Sequence, residues 1–193
     1  MALRIDYIRL KENWQGIDLD LKEIQKKRHK HREDLTGEHR LGDAGQILLA
    51  CLFAATWIVD TFLLGYTTFL NAYIPLVARV PLAAVLLIIS GFLAERGLTI
   101  VFGEKREKPA VIKKSIFGVV RHPIYLGEIL FFLGFLMLSL SFASLVVWVV
   151  AVAFLHFIAK YEEKLLLARF GGDYEKYLRE VPRWLPRLRT GNL

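Results

Sequence analysis

Residues 118–135 read GVVRHPIYLGEILFFLGF. Arg121, His122 and Pro123 run directly into a strongly apolar helix, with Tyr125 and then Glu128 on its first turns. Pro123 suits the first turn of a helix, which makes His122 its N-cap. The free amides of such a turn, with the helix dipole, favour an anion. His122 and Tyr125 are three residues apart and Glu128 follows on the Tyr125 side. An end of this kind can hold a small zwitterion, with the amides and His122 meeting its carboxylate. The plainer alternative is an interfacial belt, because Tyr, His and Arg are common at membrane surfaces.

A second constellation lies about forty residues on, in AKYEEKLLLARFGGDYEKYLREVPRWLP, residues 159–186. Glu162 and Glu163 fall where an apolar hairpin returns to the side of His122. A glutamate there can accept from both hydroxyls of a ribose, as acids do in dinucleotide sites. Adjacent glutamates also suit a solvated salt-bridge face with Lys160, Lys164 or Arg169.

The elements that position these residues are apolar blocks. The 193 residues are 54% hydrophobic, with a mean hydropathy of +0.38. Residues 45–66 carry only Asp60, residues 72–94 only Arg79, and residues 123–159 only Glu128. About 20 apolar residues cross a bilayer as a helix. The third block is too long for one crossing and is expected to break near Leu140–Ser144 into two helices. The fold class is therefore all-α: an integral membrane bundle of four to five transmembrane helices. A fifth span is placed at 69–81 or 97–102. Pro75 and Pro81 should kink or restart the second span. Gly127 and Gly134 leave one face of the third open to close packing. Asp60 and Arg79 fall at similar depth and are expected to form a structural ion pair.

Residues 1–42 form a charged amphipathic helical segment, residues 43–97 the first two spans, and residues 98–193 the core with the hairpin and C-terminal segment. No cleavable signal is evident at the start. Basic residues concentrate in 22–40, 105–121 and 160–189. Two crossings separate each region from the next, so all three, both termini and the site face the cytoplasm. This topology and anionic headgroups account for the net charge of +7. Membrane lipids are the expected surroundings, with no nucleic-acid partner, obligate protein partner or metal.

RHPIYLGE, the acidic pair, and L-x(3)-F-G-x(2)-Y-x(2)-Y-x(3)-V-P-x(2)-L-P together resemble the isoprenylcysteine carboxyl methyltransferases and the small membrane methyltransferases around them. The likeness covers roughly residues 98–189. It implies S-adenosylmethionine as methyl donor, S-adenosylhomocysteine as product, and a lipid or lipidated substrate entering from the bilayer. Carried over by position, His122 and Tyr125 line the methionine end of the cofactor. Glu162 takes the ribose, with Glu163 as helper. Val111, Ile112, Lys113 and Phe117 wrap the adenine and sulfonium side. Arg183, Arg169 or Arg121 would orient a carboxylate acceptor, and Glu128 stands by the reacting groups. Where the eukaryotic enzymes carry an arginine near the substrate, this chain has Ile158. The other readings are N-methylation of a lipid amine, for which Glu128 or Glu163 would serve as base, and a non-catalytic transport or scaffold protein.

Overall fold

The computed structural model describes residues 40–103 and 110–186, all within one compact unit, Gly37–Leu193. Of the expected amphipathic segment 1–42, residues 1–39 lie outside the described residues, and Arg40 already begins a helix. Helix α1 spans Arg40–Ile58 and continues as a π-helical turn, Val59–Leu64. A 3-10 turn, Phe69–Ala72, precedes α2, Leu76–Gly103. A second 3-10 turn, Ser115–Gly118, leads to α3, Pro123–Ser139, then α4, Phe142–Phe170, and a short α5, Gly172–Glu180. Among the described residues, three stretches are long and apolar enough to cross a membrane: Gly42–Leu64, α2 and α4. Helix α3 is a shorter apolar helix of 17 residues, about 25 Å long at 1.5 Å per residue, which is near the lower limit for a span.

Neither expected position for a fifth span holds one. Residues 97–102 belong to α2, and residues 69–81 divide between the 3-10 turn and the start of α2. The second span starts and ends later than its apolar block suggests. Pro75 stands just before the helix, and Ala78 N donates to its carbonyl at 3.0 Å, so the proline restarts the chain as helix. The expected hairpin break is present. Leu140 adopts a left-handed conformation (φ 47°) and donates to Leu136 O at 2.7 Å, and Ser141 caps α4 by accepting from Ser144 N at 3.1 Å.

Helices α2 and α3 approach through small residues, as Gly127 and Gly134 suggest. A Cβ on Gly127 would lie 3.1 Å from the Ser90 carbonyl oxygen, and one on Gly134 2.8 Å from Leu87 side-chain atoms. Ser90 Oγ donates to Gly127 O at 2.7 Å, a bond open only to backbones this close. On the other flank, Leu49, Phe53, Phe132 and Ala151 form the core between α1, α3 and α4. Trp57 and Trp148 donate their indole N–H groups to Phe135 O and Ile129 O at 2.9 and 3.0 Å. Helix α3, which carries Tyr125 and is capped by His122, is thus fixed from three sides. The exposed surface of α1 and α2 is rich in Ile, Leu, Val and Phe, as a lipid-facing surface requires.

Asp60 and Arg79 do not pair, contrary to expectation. Asp60 accepts from Thr67 N at 3.1 Å, from the Thr67 hydroxyl, and from Ser141 Oγ at 2.5 Å. Arg79 Nη1 donates to Asn71 Oδ1 at 2.5 Å and to Leu138 O at 2.6 Å. Both charges grip the α3–α4 turn, at Ser141 and at Leu138. Their partners are hydroxyls, an amide and a carbonyl that helix ends supply locally.

Candidate functional site

His122 is the N-cap of α3 and Pro123 occupies the first turn. The cap makes no side-chain hydrogen bond to the helix, so its imidazole is committed elsewhere. Helix α4 runs two turns beyond the acidic pair, so Glu162 and Glu163 lie within the helix rather than at its end. Successive residues on a helix diverge by about 100°, and the two carboxylates take different partners. Glu162 Oε1 accepts the Tyr125 hydroxyl, and its Oε2 lies 3.7 Å from His122 Nδ1. Glu163 Oε1 is 2.9 Å from Arg121 Nε, 2.9 Å from Arg183 Nε and 3.2 Å from His122 Nε2. Its Oε2 accepts from Arg183 Nη2 at 2.5 Å. Glu163 is therefore no solvated salt-bridge partner of Lys160 or Lys164. It is 7% exposed and held by two guanidiniums.

The C-terminal segment closes over this cluster because Arg121 ties it down. Arg121 Nη1 donates to Leu178 O at 2.8 Å and Val181 O at 2.9 Å, and Arg121 N donates to Pro182 O at 2.9 Å. These carbonyls lie at the end of α5 and just beyond it, where a helix leaves acceptors unpaired. The strap brings Trp184 within 5.9 Å of the His122 ring, centre to centre, and its indole donates to His156 Nδ1 at 3.2 Å. On the other side, the Tyr125 ring is nearly parallel to that of His122 at 5.6 Å.

His122 is 9% exposed. Burial lowers its pKa from the ordinary 6.5, and Glu163 raises it less, because the charge of Glu163 is already met by Arg121 and Arg183. The ring is neutral at physiological pH. Hydrogen bonds to Glu163 raise the pKa of Arg183, which stays charged. Burial likewise raises Tyr174 and Tyr177. Tyr177 remains a donor and bonds Phe117 O at 2.7 Å.

The adenine-side residues expected from sequence lie on the segment before α3, against α5. Val111 packs on Tyr174, Tyr177 and Val181, and Ile112 is half-buried. Lys113 Nζ donates to Asp173 O at 3.3 Å, and Phe117 is held through its carbonyl. The fold thus gathers Arg121, His122, Tyr125, Glu162, Glu163 and Arg183 into one cluster. Glu128 is half-buried, one turn deeper than Tyr125, with no hydrogen bond or ion pair among the described residues. Arg169 is exposed, its guanidinium 5.4 Å from the Phe170 ring centre. The His156–Trp184 pair was missed. An indole inside the V-P-x(2)-L-P run, close after a charged helix, was the available signal.

The architecture is that of a helical membrane protein with a polar cluster at one end of an apolar hairpin. Residues 78–173 match the phospholipid methyltransferase family. The likeness to the isoprenylcysteine carboxyl methyltransferases falls within the same family. Among curated relatives, a methanethiol S-methyltransferase of Crocosphaera subtropica is 31% identical over 147 residues, covering 74% of this chain and 48% of the relative. Methanethiol S-methyltransferase 2 of Bradyrhizobium diazoefficiens is 35% identical over 98 residues, covering 50% of this chain and 34% of the relative. The chain spans half or less of the length of these two relatives. No solved structure matches it.

Proposed function

We propose that this chain is an S-adenosylmethionine-dependent methyltransferase of the membrane, with its site on the cytoplasmic side and its acceptor arriving from the bilayer. The observation that carries the reading is the union of His122, Tyr125, Glu162 and Glu163 at one end of the α3–α4 hairpin. The donor set fits the cofactor. It combines carboxylate acceptors for hydroxyl and ammonium groups with an apolar segment beside α5 for a flat base. Glu162 would take the ribose, His122 and Tyr125 the methionine end, and Val111, Ile112 and Phe117 the adenine side with Lys113 at its edge. When bound, the cofactor supplies a methyl group on a positively charged sulfonium.

For the acceptor we propose a thiol on a small apolar or lipid-like molecule. Both relatives above are methanethiol S-methyltransferases by name. A free thiol has a pKa near ~8.5 and is mostly protonated at neutral pH, whereas the thiolate is the nucleophile. Glu128 is a half-buried carboxylate without a partner among the described residues. It can receive the S–H proton while the apolar helices around it exclude water. The second reading is the carboxylate of an isoprenylcysteine-like substrate. It is favoured by Arg183, which gives Nε and Nη2 to Glu163 but makes no hydrogen bond through Nη1 among the described residues. A carboxylate is already ionised at neutral pH and needs orientation rather than a base.

The test is transfer of labelled methyl from S-adenosylmethionine to an alkanethiol, a prenylcysteine analogue and phosphatidylethanolamine in lipid nanodiscs. The thiol should be labelled. Glu128→Gln should slow that transfer by about 10²-fold or more, the scale of general-base catalysis, without weakening S-adenosylhomocysteine binding. Labelling of the prenylcysteine analogue alone, little affected by Glu128→Gln, would replace the thiol with the carboxylate reading. Labelling of phosphatidylethanolamine alone would replace both. Absence of S-adenosylhomocysteine binding would end the methyltransferase proposal.

A further inference from the structure

The two carboxylates beside His122 divide its nitrogens between opposite roles. Glu163 Oε1 faces Arg121 Nε and Arg183 Nε at 2.9 Å each. With two guanidiniums on it, Glu163 is ionised and offers only lone pairs. His122 Nε2, at 3.2 Å from the same oxygen, must therefore carry the hydrogen. A neutral imidazole has one N–H, so Nδ1 is left with a lone pair. Burial favours this neutral ring, as does the neutralisation of Glu163 by its arginines.

Nδ1 lies 3.7 Å from Glu162 Oε2, beyond hydrogen-bond range. Two acceptor atoms are thus close together in a site where His122 is 9% exposed. Such a pair is unfavourable without a donor between them. A carboxylate oxygen accepts more than one hydrogen bond, so Glu162 can serve such a donor beside its other partners. A hydroxyl has one hydrogen and satisfies one of the two acceptors. A primary ammonium has three and can reach both at about 2.9 Å. Its charge also opposes that of Glu162.

We propose that Glu163 is a positioning residue which fixes His122 in the Nε2–H tautomer, so that Nδ1 and the Glu162 carboxylate form a two-acceptor notch for a primary ammonium. This deepens the proposed function, since the ammonium available at the methionine end is the α-amino group of the cofactor. His122 then acts as an acceptor towards the amine rather than a donor to the carboxylate of the same zwitterion. The groups facing the ring are Glu162 and Glu163 on α4, Arg121 and Tyr125 at α3, and Arg183 and Trp184 on the strap.

The test has two arms on the full chain in nanodiscs. In the first, imidazole nitrogens are labelled with ¹⁵N and the His122 signals among the five histidines are identified by their loss in His122→Gln. At about pH 7.5, above the ordinary histidine range, Nε2 should appear protonated and Nδ1 bare without ligand. Glu163→Gln, and separately Arg183→Lys, should weaken that preference. An imidazolium, or an Nδ1–H tautomer, in the unsubstituted protein would overturn the positioning role. In the second arm, calorimetry compares S-adenosylhomocysteine with its analogue carrying hydrogen in place of the α-amino group. The analogue should bind about tenfold more weakly or worse, as for loss of a hydrogen bond to a charged group, and the gap should shrink in His122→Phe. Equal affinity would overturn the notch. If neither ligand binds, the cofactor reading and the ammonium assignment fall together, while the ligand-free spectrum still decides the role of Glu163.

Discussion

Replacing Glu163 by glutamine keeps the shape of the side chain and removes the charge on which two guanidiniums and the His122 ring converge. The carboxylate accepts from Arg121 Nε, Arg183 Nε, Arg183 Nη2 and His122 Nε2 at 2.5 to 3.2 Å. An amide keeps one oxygen and presents an NH₂ group where the other stood. That group meets an arginine N–H, donor against donor. At least one charge-assisted bond is lost, and Arg121 and Arg183 are left close together without a counter-ion. Hydrogen bonds to charged groups contribute about 1.5–3 kcal/mol each but do not add. Removing one partner from a buried ion pair costs about 3–5 kcal/mol. The Arg183 side chain is 20% exposed, which favours the low end, so the expected loss is about 3 kcal/mol.

Glu175→Gln supplies the control. Its pair with Arg179 spans 3.3 Å on α5, with side chains 55% and 71% exposed, and its loss should cost no more than about 0.5 kcal/mol. Equilibrium unfolding in mixed micelles, followed by tryptophan fluorescence, measures both. Trp184, on the strap that Glu163 holds through Arg183, is one of the reporters. The Glu163 variant should also be cut faster by trypsin near Arg183, because the strap has lost one of its two anchors. Equal destabilisation by the two substitutions would refute the reasoning, since it would mean that the buried charge contributes no more than an exposed one.

Three further outcomes are expected. Glu162→Gln should weaken S-adenosylhomocysteine binding by about 1.5–3 kcal/mol in calorimetry, through loss of a charged acceptor, and an unchanged affinity would remove Glu162 from the cofactor site. His122 has a folded-state pKa below 6.5 because it is buried. The unfolded chain therefore takes up its proton first, so stability should fall as pH drops below 6.5, by up to about 1.4 kcal/mol per pH unit. His122→Gln should flatten that part of the stability profile measured between pH 5 and 7.5, and a slope unaltered by the substitution would assign it to other groups. Gly127→Leu should cost about 2 kcal/mol or more by overpacking, since even a Cβ would lie 3.1 Å from the Ser90 carbonyl. Gly91→Leu, where a Cβ meets nothing within 4 Å, should leave the unfolding midpoint unchanged or raise it.

What could be read from the sequence follows the range of the interactions involved. The helical hairpin, its break near Leu140, the cap at His122 and the small face of α3 depend on apolar length, on Pro123 and on glycine size. Each is visible within a few residues. The ends of α2 were misplaced because Glu95 and Arg96 close the apolar block while the helix continues to Gly103. Charge ends a hydrophobic run without ending helical geometry. Asp60 and Arg79 were matched by depth alone. The loop and hairpin turn offered Thr67, Ser141, Asn71 and Leu138 O as nearer partners.

The acidic pair shows the limit most clearly. Nothing in YEEKLL distinguishes one glutamate from the other, and either could be assigned to a ligand. The distinction comes from Arg121 and Arg183, which lie 42 and 20 residues from Glu163 and reach it only when the strap folds back. Arg121 does this by donating to three carbonyls around the end of α5, so the strap depends on backbone acceptors that no side-chain pattern records. Once two guanidiniums hold Glu163, that acid can orient His122 but has little acceptor capacity left for a ligand. Glu162, facing Tyr125 and the other ring nitrogen, is then the acid with a geometry suited to ligand binding. Substitutions at these two positions should therefore be costly in different ways. Glu162→Gln should act on ligand affinity with the fold intact, and Glu163→Gln on the fold first and on affinity through it.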